Sequence, residues 1–211
     1  GLVGSEMCIR DRAVVVEPKC TKQQPANPVA SFRVASDCSG IDVPIAVLEQ
    51  LNIATHHVFS SEVDRCIRDF LQARFAPDTM YPDMTIRNNH VPCPAETDLD
   101  LYSVGLPCQP FSKSGKNLGE DDPKGGGRRG LLVHYALDSI RHRMPKAFML
   151  ENVANRYFIR HRIKSLLEDG RYNIHWDIAR SADHGIPQRR ARLYVVGIRK
   201  YVEQTPFRFP N

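Results

Sequence analysis

The chain has 211 residues, enough for one domain around a single core and short for two full domains. Lys and Arg outnumber Asp and Glu by 29 to 24, a net +5 that permits a polyanionic partner, and much of the excess sits in Lys113 to Arg129 and Arg189 to Lys200. No apolar run approaches the roughly 18 residues of a membrane span. Six widely spaced cysteines without a Cys-x-x-Cys pair argue against a zinc ribbon or thioredoxin-type site and fit reduced intracellular thiols.

Residues 1–31 read as a leader and linker outside the fold, with Pro18, Pro25 and Pro28 in polar filling. Phe32 to Ala35 then reads as a strand and Val43 to Leu51 as a helix. Thr55 to Ser60 is a second strand, followed by an amphipathic helix from about Asp64 to Phe75 that buries Cys66, Ile67, Phe70 and Leu71. Leu99 to Val104 reads as a strand, Leu131 to Met144 as a helix, Lys146 to Leu150 as a strand, and Ile159 to Glu168 as a helix ended by Gly170. Tyr172 to Ala179 and Arg192 to Ile198 complete the series as strands. Such alternation predicts an α/β fold, a doubly wound and mostly parallel sheet covered on both faces. Ligands bind such sheets beyond the carboxyl ends of the strands, where strand order reverses. That rim would carry Ser36 to Gly40, Glu62, Gly105 to Gln109, and Glu151-Asn152.

Within Leu106-Pro107-Cys108-Gln109-Pro110-Phe111, prolines on either side of Cys108-Gln109 restrict the backbone and hold the thiol in one direction. Cys108 is thus either a presented nucleophile or a small buried hydrophobe. Glu151, ending a buried strand on the same rim, would be partly desolvated and suited to holding or donating a proton, or would cap the next helix. In Gln188-Arg189-Arg190-Ala191-Arg192, strand alternation sends Arg190 and Arg192 to one face, as an anion or carbonyl site or as a solvated charge run.

Taken in order, Ser36 to Gly40, Glu62, Pro107-Cys108-Gln109, Glu151-Asn152-Val153 and Gln188 to Arg192 resemble the cytosine carbon-5 DNA methyltransferases over about residues 32 to 200. The resemblance implies a Rossmann-like catalytic domain over 32–200, S-adenosylmethionine as methyl donor, and double-stranded DNA from which the target cytosine is flipped. It implies Cys108 as the nucleophile adding to carbon 6, Glu151 at the ring's N3 and amine, and Arg192 on its carbonyl oxygen. Asn152 and Arg190 would support this group. Cofactor contacts would come from Ser36, Cys38, Ser39, Gly40, Glu62, Val63, Asp83, Met84, Leu106 and Pro107, with Glu62 on the ribose hydroxyls and Asp83 on the adenine amine. Gln109, Ser112, Lys113, Lys116 and Arg129 would contact DNA from a mobile loop.

The chain departs from the family pattern where Cys38 replaces a stacking phenylalanine, Asp42 and Val43 replace glycines, and Val63 stands where an aromatic often packs on adenine. Loss of two aromatic surfaces predicts cofactor binding weaker by about a few kcal/mol unless other contacts compensate. Residues 201–211 read as the start of a target-recognition region that is otherwise missing, so a second chain or further sequence would complete the enzyme, with little activity alone. The expected location is intracellular, the nucleus in a eukaryote and the cytoplasm otherwise. The competing readings are a tRNA cytosine-5 methyltransferase acting on a structured RNA, a non-catalytic methyltransferase-like binding module, and a generic Rossmann oxidoreductase. The last lacks a Gly-x-Gly-x-x-Gly turn.

Overall fold

The computed structural model describes residues 31–89, 91–107, 131–154 and 164–210. In chain order the elements are β1 (Phe32–Asp37), α1 (Val43–Gln50), β2 (Thr55–Ser61), α2 (Arg65–Arg74), β3 (Thr79–Tyr81), β4 (Leu101–Gly105), α3 (Leu132–Arg143), β5 (Ala147–Val153), α4 (Lys164–Asp169), β6 (Tyr172–Arg180) and β7 (Ala191–Arg199). They form a seven-stranded sheet in the order β3-β2-β1-β4-β5-β7-β6. The first five of these are parallel, whereas β7 runs antiparallel to both β5 and β6. The expected mostly parallel, Rossmann-like sheet is therefore present.

Strand order reverses between β1 and β4, which opens a crevice beyond their carboxyl ends. Alternation along the strands divides the sheet into two chemically distinct faces. One carries Ala35, Tyr102, Val104, Phe148, Leu150, Leu193 and Val195, which join Val133, Ala136, Leu137 and Ile140 of α3 in a single core. The helical spacing of those four residues forms one apolar stripe, which seats α3 on that face. The opposite face carries Ser36 and Ser60, whose hydroxyls reach Asp42 at the start of α1. Pro44 in the first turn suits α1's start. The Asp64 carboxylate caps α2 by accepting from the Ile67 amide at 3.1 Å.

Between the sheet and α3 lies a buried ionic network invisible to periodicity. Arg87 pairs with Asp37 through two contacts of 2.9 and 2.5 Å, and Arg143 pairs with Glu96 at 2.7 Å. Asn89 Oδ1 accepts from both arginines, at 3.0 and 2.9 Å, while Tyr102 and Tyr81 donate to Asp37 and Glu96. The Arg87 guanidinium also lies 4.4 Å from the centre of the Phe59 ring. This network fastens the segment after β3 to β1 and α3.

Three expectations need correction. On α2 Leu71 is buried, but Cys66 and Phe70 are exposed, because Phe70 turns toward Phe75 at the helix end rather than into the core. Strand β5 continues through Glu151 to Val153, so Glu151 lies within a paired strand rather than at its tip. Cys93 is disulfide-bonded, so not all the cysteines are reduced thiols. The first part of the expected helix from Ile159 lies outside the described residues, and α4 is its later part.

Candidate active site

Two adjoining cavities occupy the crevice. The first, about 210 Å³, is lined by Cys38, Gly40, Ser61, Glu62, Val63, Asp83, Met84, Gly105, Pro107 and Leu132. Seven of the ten residues expected at the cofactor thus meet around one space: Cys38, Gly40, Glu62, Val63, Asp83, Met84 and Pro107. Glu62 is positioned by two backbone amides, Gly40 N to Oε2 and Asp64 N to Oε1, each at 3.0 Å. Asp83 accepts from the Thr85 amide at 2.8 Å, an Asx turn that points its carboxylate back over the cavity edge. The Cys38 thiol lies 3.6 Å from Met84 Sδ. Burial, with Asp37, Glu62 and Asp83 nearby, pushes its ionisation well above the ordinary thiol range. Cys38 is therefore protonated at neutral pH and a poor nucleophile.

Three of the ten sit elsewhere. Leu106 is fully packed into the core below the cavity, because the strand alternation turns it toward α3's face. Ser36 is buried with its hydroxyl engaged by Ser39, Asp42 and Ser60. Ser39 braces the loop, donating to the Ser61 carbonyl at 3.1 Å and accepting from the Ser61 amide at 3.2 Å, and faces the second cavity.

That second cavity, about 290 Å³, is lined by residues including Ser39, Asp42, Ser103, Met149, Glu151, Arg190 and Tyr194, and it shares Cys38 and Gly105 with the first. Its far wall is built by sheet register. Gly105 pairs with Glu151 across β4 and β5, and Glu151 pairs with Tyr194 across β5 and β7, so all three share a face. Arg192, two residues before Tyr194, takes the same face. Its Nε lies 2.8 Å from Glu151 Oε1, and Arg190 Nη2 reaches the same oxygen at 3.9 Å. One carboxylate oxygen thus receives two guanidiniums that the sequence places about forty residues away. The Leu106 amide donates to the Glu151 carbonyl at 3.2 Å, tying the segment that leads into Pro107 and Cys108 to this residue.

Asn152 points away from this group, because its neighbours on the buried face are Phe148 and Leu150. Its Oδ1 accepts from the Val153 amide at 2.7 Å, while its Nδ2 has no hydrogen-bond partner among the described residues. Cys108, Gln109, Ser112, Lys113, Lys116 and Arg129 lie outside the described residues.

Sequence reasoning placed Gly105 on the rim without giving it a role, and missed Tyr194 as a wall residue. A side chain at Gly105 would place its Cβ 3.3 Å from the Cys38 carbonyl oxygen, so glycine lets the end of β4 pass close under the loop after β1. Tyr194 could have been found from the two-residue spacing to Arg192.

A family profile described as C-5 cytosine-specific DNA methylase matches residues 32–211. Among similar proteins, the type II methyltransferase M.NgoBI of Neisseria gonorrhoeae is 34% identical over 162 residues, covering 74% of this chain and 46% of that protein. The type II methyltransferase M1.ScrFI of Lactococcus lactis subsp. cremoris is 38% identical over 148 residues, covering 66% of this chain and 35% of that protein. The chain thus spans less than half the length of these relatives. Among solved structures, the S. pombe Dnmt2 methyltransferase aligns with a TM-score of 0.60 at 17% identity, over 84% of this chain and 52% of that one. The Entamoeba histolytica methyltransferase EhMeth aligns at 0.59 and 22% identity, over 85% and 55%. Those two likenesses speak for the fold, while the profile match across nearly all of the ordered sheet shows that the chain belongs to the C-5 cytosine-specific DNA methylase family.

Proposed function

We propose that this chain carries the catalytic domain of an enzyme that methylates carbon 5 of cytosine in duplex DNA. The observation that carries the proposal is the meeting of Arg192 and Arg190 on Glu151 Oε1, in a cavity that adjoins the one built by Glu62 and Asp83. Family membership implies S-adenosylmethionine as the methyl donor, which supplies an electrophilic methyl on a sulfonium. The residues fit its chemistry, with Glu62 for ribose hydroxyls, Asp83 for the adenine amine, and Met84, Val63 and Leu132 as apolar surface. Cys38, Gly105 and Pro107 stand at the boundary with the second cavity.

In the proposed mechanism the Cys108 thiolate adds to carbon 6 of a cytosine turned out of the stack. The new sulfur–carbon bond pushes the ring's double-bond pair onto carbon 5. Glu151 in its protonated form donates to N3, and Arg192 donates to the carbonyl oxygen, where charge builds up. Arg190, half-exposed beside them, adds positive potential near the thiolate. Once the carbon-5 pair has taken the methyl, the donor's sulfur–methyl bond being broken, the carbon-5 proton passes to water, the N3 proton returns to Glu151, and the carbon–sulfur bond breaks, restoring Cys108 and the double bond. Asn152 serves from behind the strand. Gln109, Ser112, Lys113, Lys116 and Arg129 contact the DNA. Residues 32–200 form the domain.

The test is a single-turnover assay with enzyme in excess, in which labelled S-adenosylmethionine is offered duplex DNA or a tRNA transcript and the modified base is identified by mass spectrometry. The expected result is 5-methylcytosine in the duplex, formed about a hundredfold more slowly by Glu151→Gln. Methyl label confined to RNA overturns the DNA assignment. Cofactor binding without transfer to either polymer marks a binding module.

A further inference from the structure

Behind the loop that separates the two cavities lies a polar cluster that the proposed chemistry does not use. Asp42 is 1% exposed, and its Oδ2 accepts from Ser60 Oγ at 2.7 Å and Ser36 Oγ at 3.0 Å. His57 Nε2 stands 2.7 Å from Ser60 Oγ, and Ser39 Oγ stands 2.7 Å from Ser36 Oγ. Asp42 Oδ1 and His57 Nδ1 are buried without hydrogen-bond partners among the described residues. The Asp42 backbone is left-handed, at φ +52°, and its side chain makes no capping bond to α1. A non-glycine residue in that conformation, carrying a buried carboxylate with one unsatisfied oxygen, is locally costly three times over. Such concentrations of strain persist where the surroundings require them.

The proton inventory shows what this carboxylate does. An ionised Oδ2 only accepts, so Ser36 and Ser60 must both point their single protons at it. Ser60 then accepts from His57 Nε2, and that tautomer leaves Nδ1 as the proton-free nitrogen, matching its lack of a partner. Ser36 is left free to accept the Ser39 proton whenever that proton is not on the Ser61 carbonyl, and in either case Ser39 Oγ accepts from the Ser61 amide and braces the loop. The same loop presents the Gly40 amide to Glu62. Protonation at the free Oδ1 removes the charge that draws both serine protons to Oδ2, and Ser36 and Ser60, 3.0 Å apart, can then donate to each other instead.

We propose that Asp42 is a positioning residue for cofactor binding, its carboxylate acting through Ser36, Ser60 and Ser39 to hold the Cys38–Gly40 turn against Glu62, so that cofactor affinity follows the charge on Asp42. This rests on the reading that the first cavity takes S-adenosylmethionine. Burial, assisted by Asp37 and Glu62, outweighs the two serine hydrogen bonds and lifts the Asp42 carboxyl to about 6, while burial lowers His57 to about 4. The other charged groups around it are Asp37 on β1, Glu62 after β2, and Glu151 and Arg190 across the second cavity.

The experiment is calorimetric titration of S-adenosylhomocysteine into the 211-residue protein between pH 7.5 and 5, alongside Asp42→Asn, which keeps the two serine contacts without the charge, and Asp42→Gly, which suits the backbone. Thermal unfolding of each verifies the fold. Wild-type affinity is expected to fall about tenfold from pH 7.5 to 5, one proton being linked to binding. Asp42→Asn should bind about tenfold more weakly than wild type at pH 7.5 and remain flat to pH 5, and Asp42→Gly should also be weaker throughout. A wild-type affinity that is flat with pH, or an Asp42→Asn variant that keeps the wild-type slope, overturns the coupling. Failure of the folded wild type to bind at any pH refutes the cavity reading and the proposal with it.

Discussion

Burial raises the Asp42 carboxyl from its ordinary 3.8 to about 6, so ionising it costs more in the folded chain than in the unfolded one. The sign follows by linkage. Below about pH 4 both states are protonated and nothing is lost, and as pH rises through about 6 the folded state pays the full penalty. An asparagine in its place contributes equally at all these pH values, so Asp42→Asn should gain on wild type by about 1–3 kcal/mol between pH 4 and pH 7. Urea unfolding at the two pH values measures that difference. His57 works in the opposite sense, its contribution falling as pH drops from 6.5 through about 4, but it is common to both proteins and cancels. None of this was legible in the sequence. Asp42 registers there as a replaced glycine, while its hydroxyl partners come from two separate strands. By contrast Glu62 was legible because it follows a strand end where a nucleotide-binding sheet presents an acidic group, and Asp83 was named only through the family resemblance.

Strands and helices that alternate over five or more residues could be read from periodicity, and β1, β2, β4, α3, β5, β6 and β7 lie where it places them, with ends displaced by a few residues at most. The three-residue β3 was missed because so short a run has no period to detect. Antiparallel insertion of β7 between β5 and β6 was also not legible, and it matters most to the cleft. It sets Tyr194 opposite Glu151 and brings Arg192 onto the same face. The register has a tight point at Gly197, which pairs with Phe148, since a Cβ there would come within 2.2 Å of the Phe148 ring. Phe148 is fully buried and packs edge-on to Tyr172, so it has little room to yield. Gly197→Ala is therefore expected to cost about 1–3 kcal/mol, read as a lower thermal midpoint.

Over the molecule as a whole, the cleft is where three independent packing solutions meet. The α3 face supplies a continuous apolar core that fixes β4, β5 and β7 side by side. The buried pairs Arg87–Asp37 and Arg143–Glu96 fasten the segment bearing Asp83 to that core. Asp42 and its serines hold the loop after β1 from the other face. Fold class followed from the alternation of elements, and most of the candidate cofactor residues followed from ordered motifs. Leu106 and the catalytic candidate Asn152 lie on the opposite, core-facing side, unforeseen because a motif names residues without saying which side of a strand each takes. The account's central claim is that the Glu151–Arg192 cleft receives a cytosine for attack by Cys108. Incubation of the protein with S-adenosylmethionine and a duplex containing 5-fluorocytosine tests it directly, because fluorine cannot leave carbon 5 as the proton does and the sulfur–carbon bond stays closed. Peptide mass spectrometry is expected to find the adduct on Cys108 and to lose it in Cys108→Ser. An adduct on Cys38 or Cys66, or none on a protein shown to bind both duplex and cofactor, would contradict it.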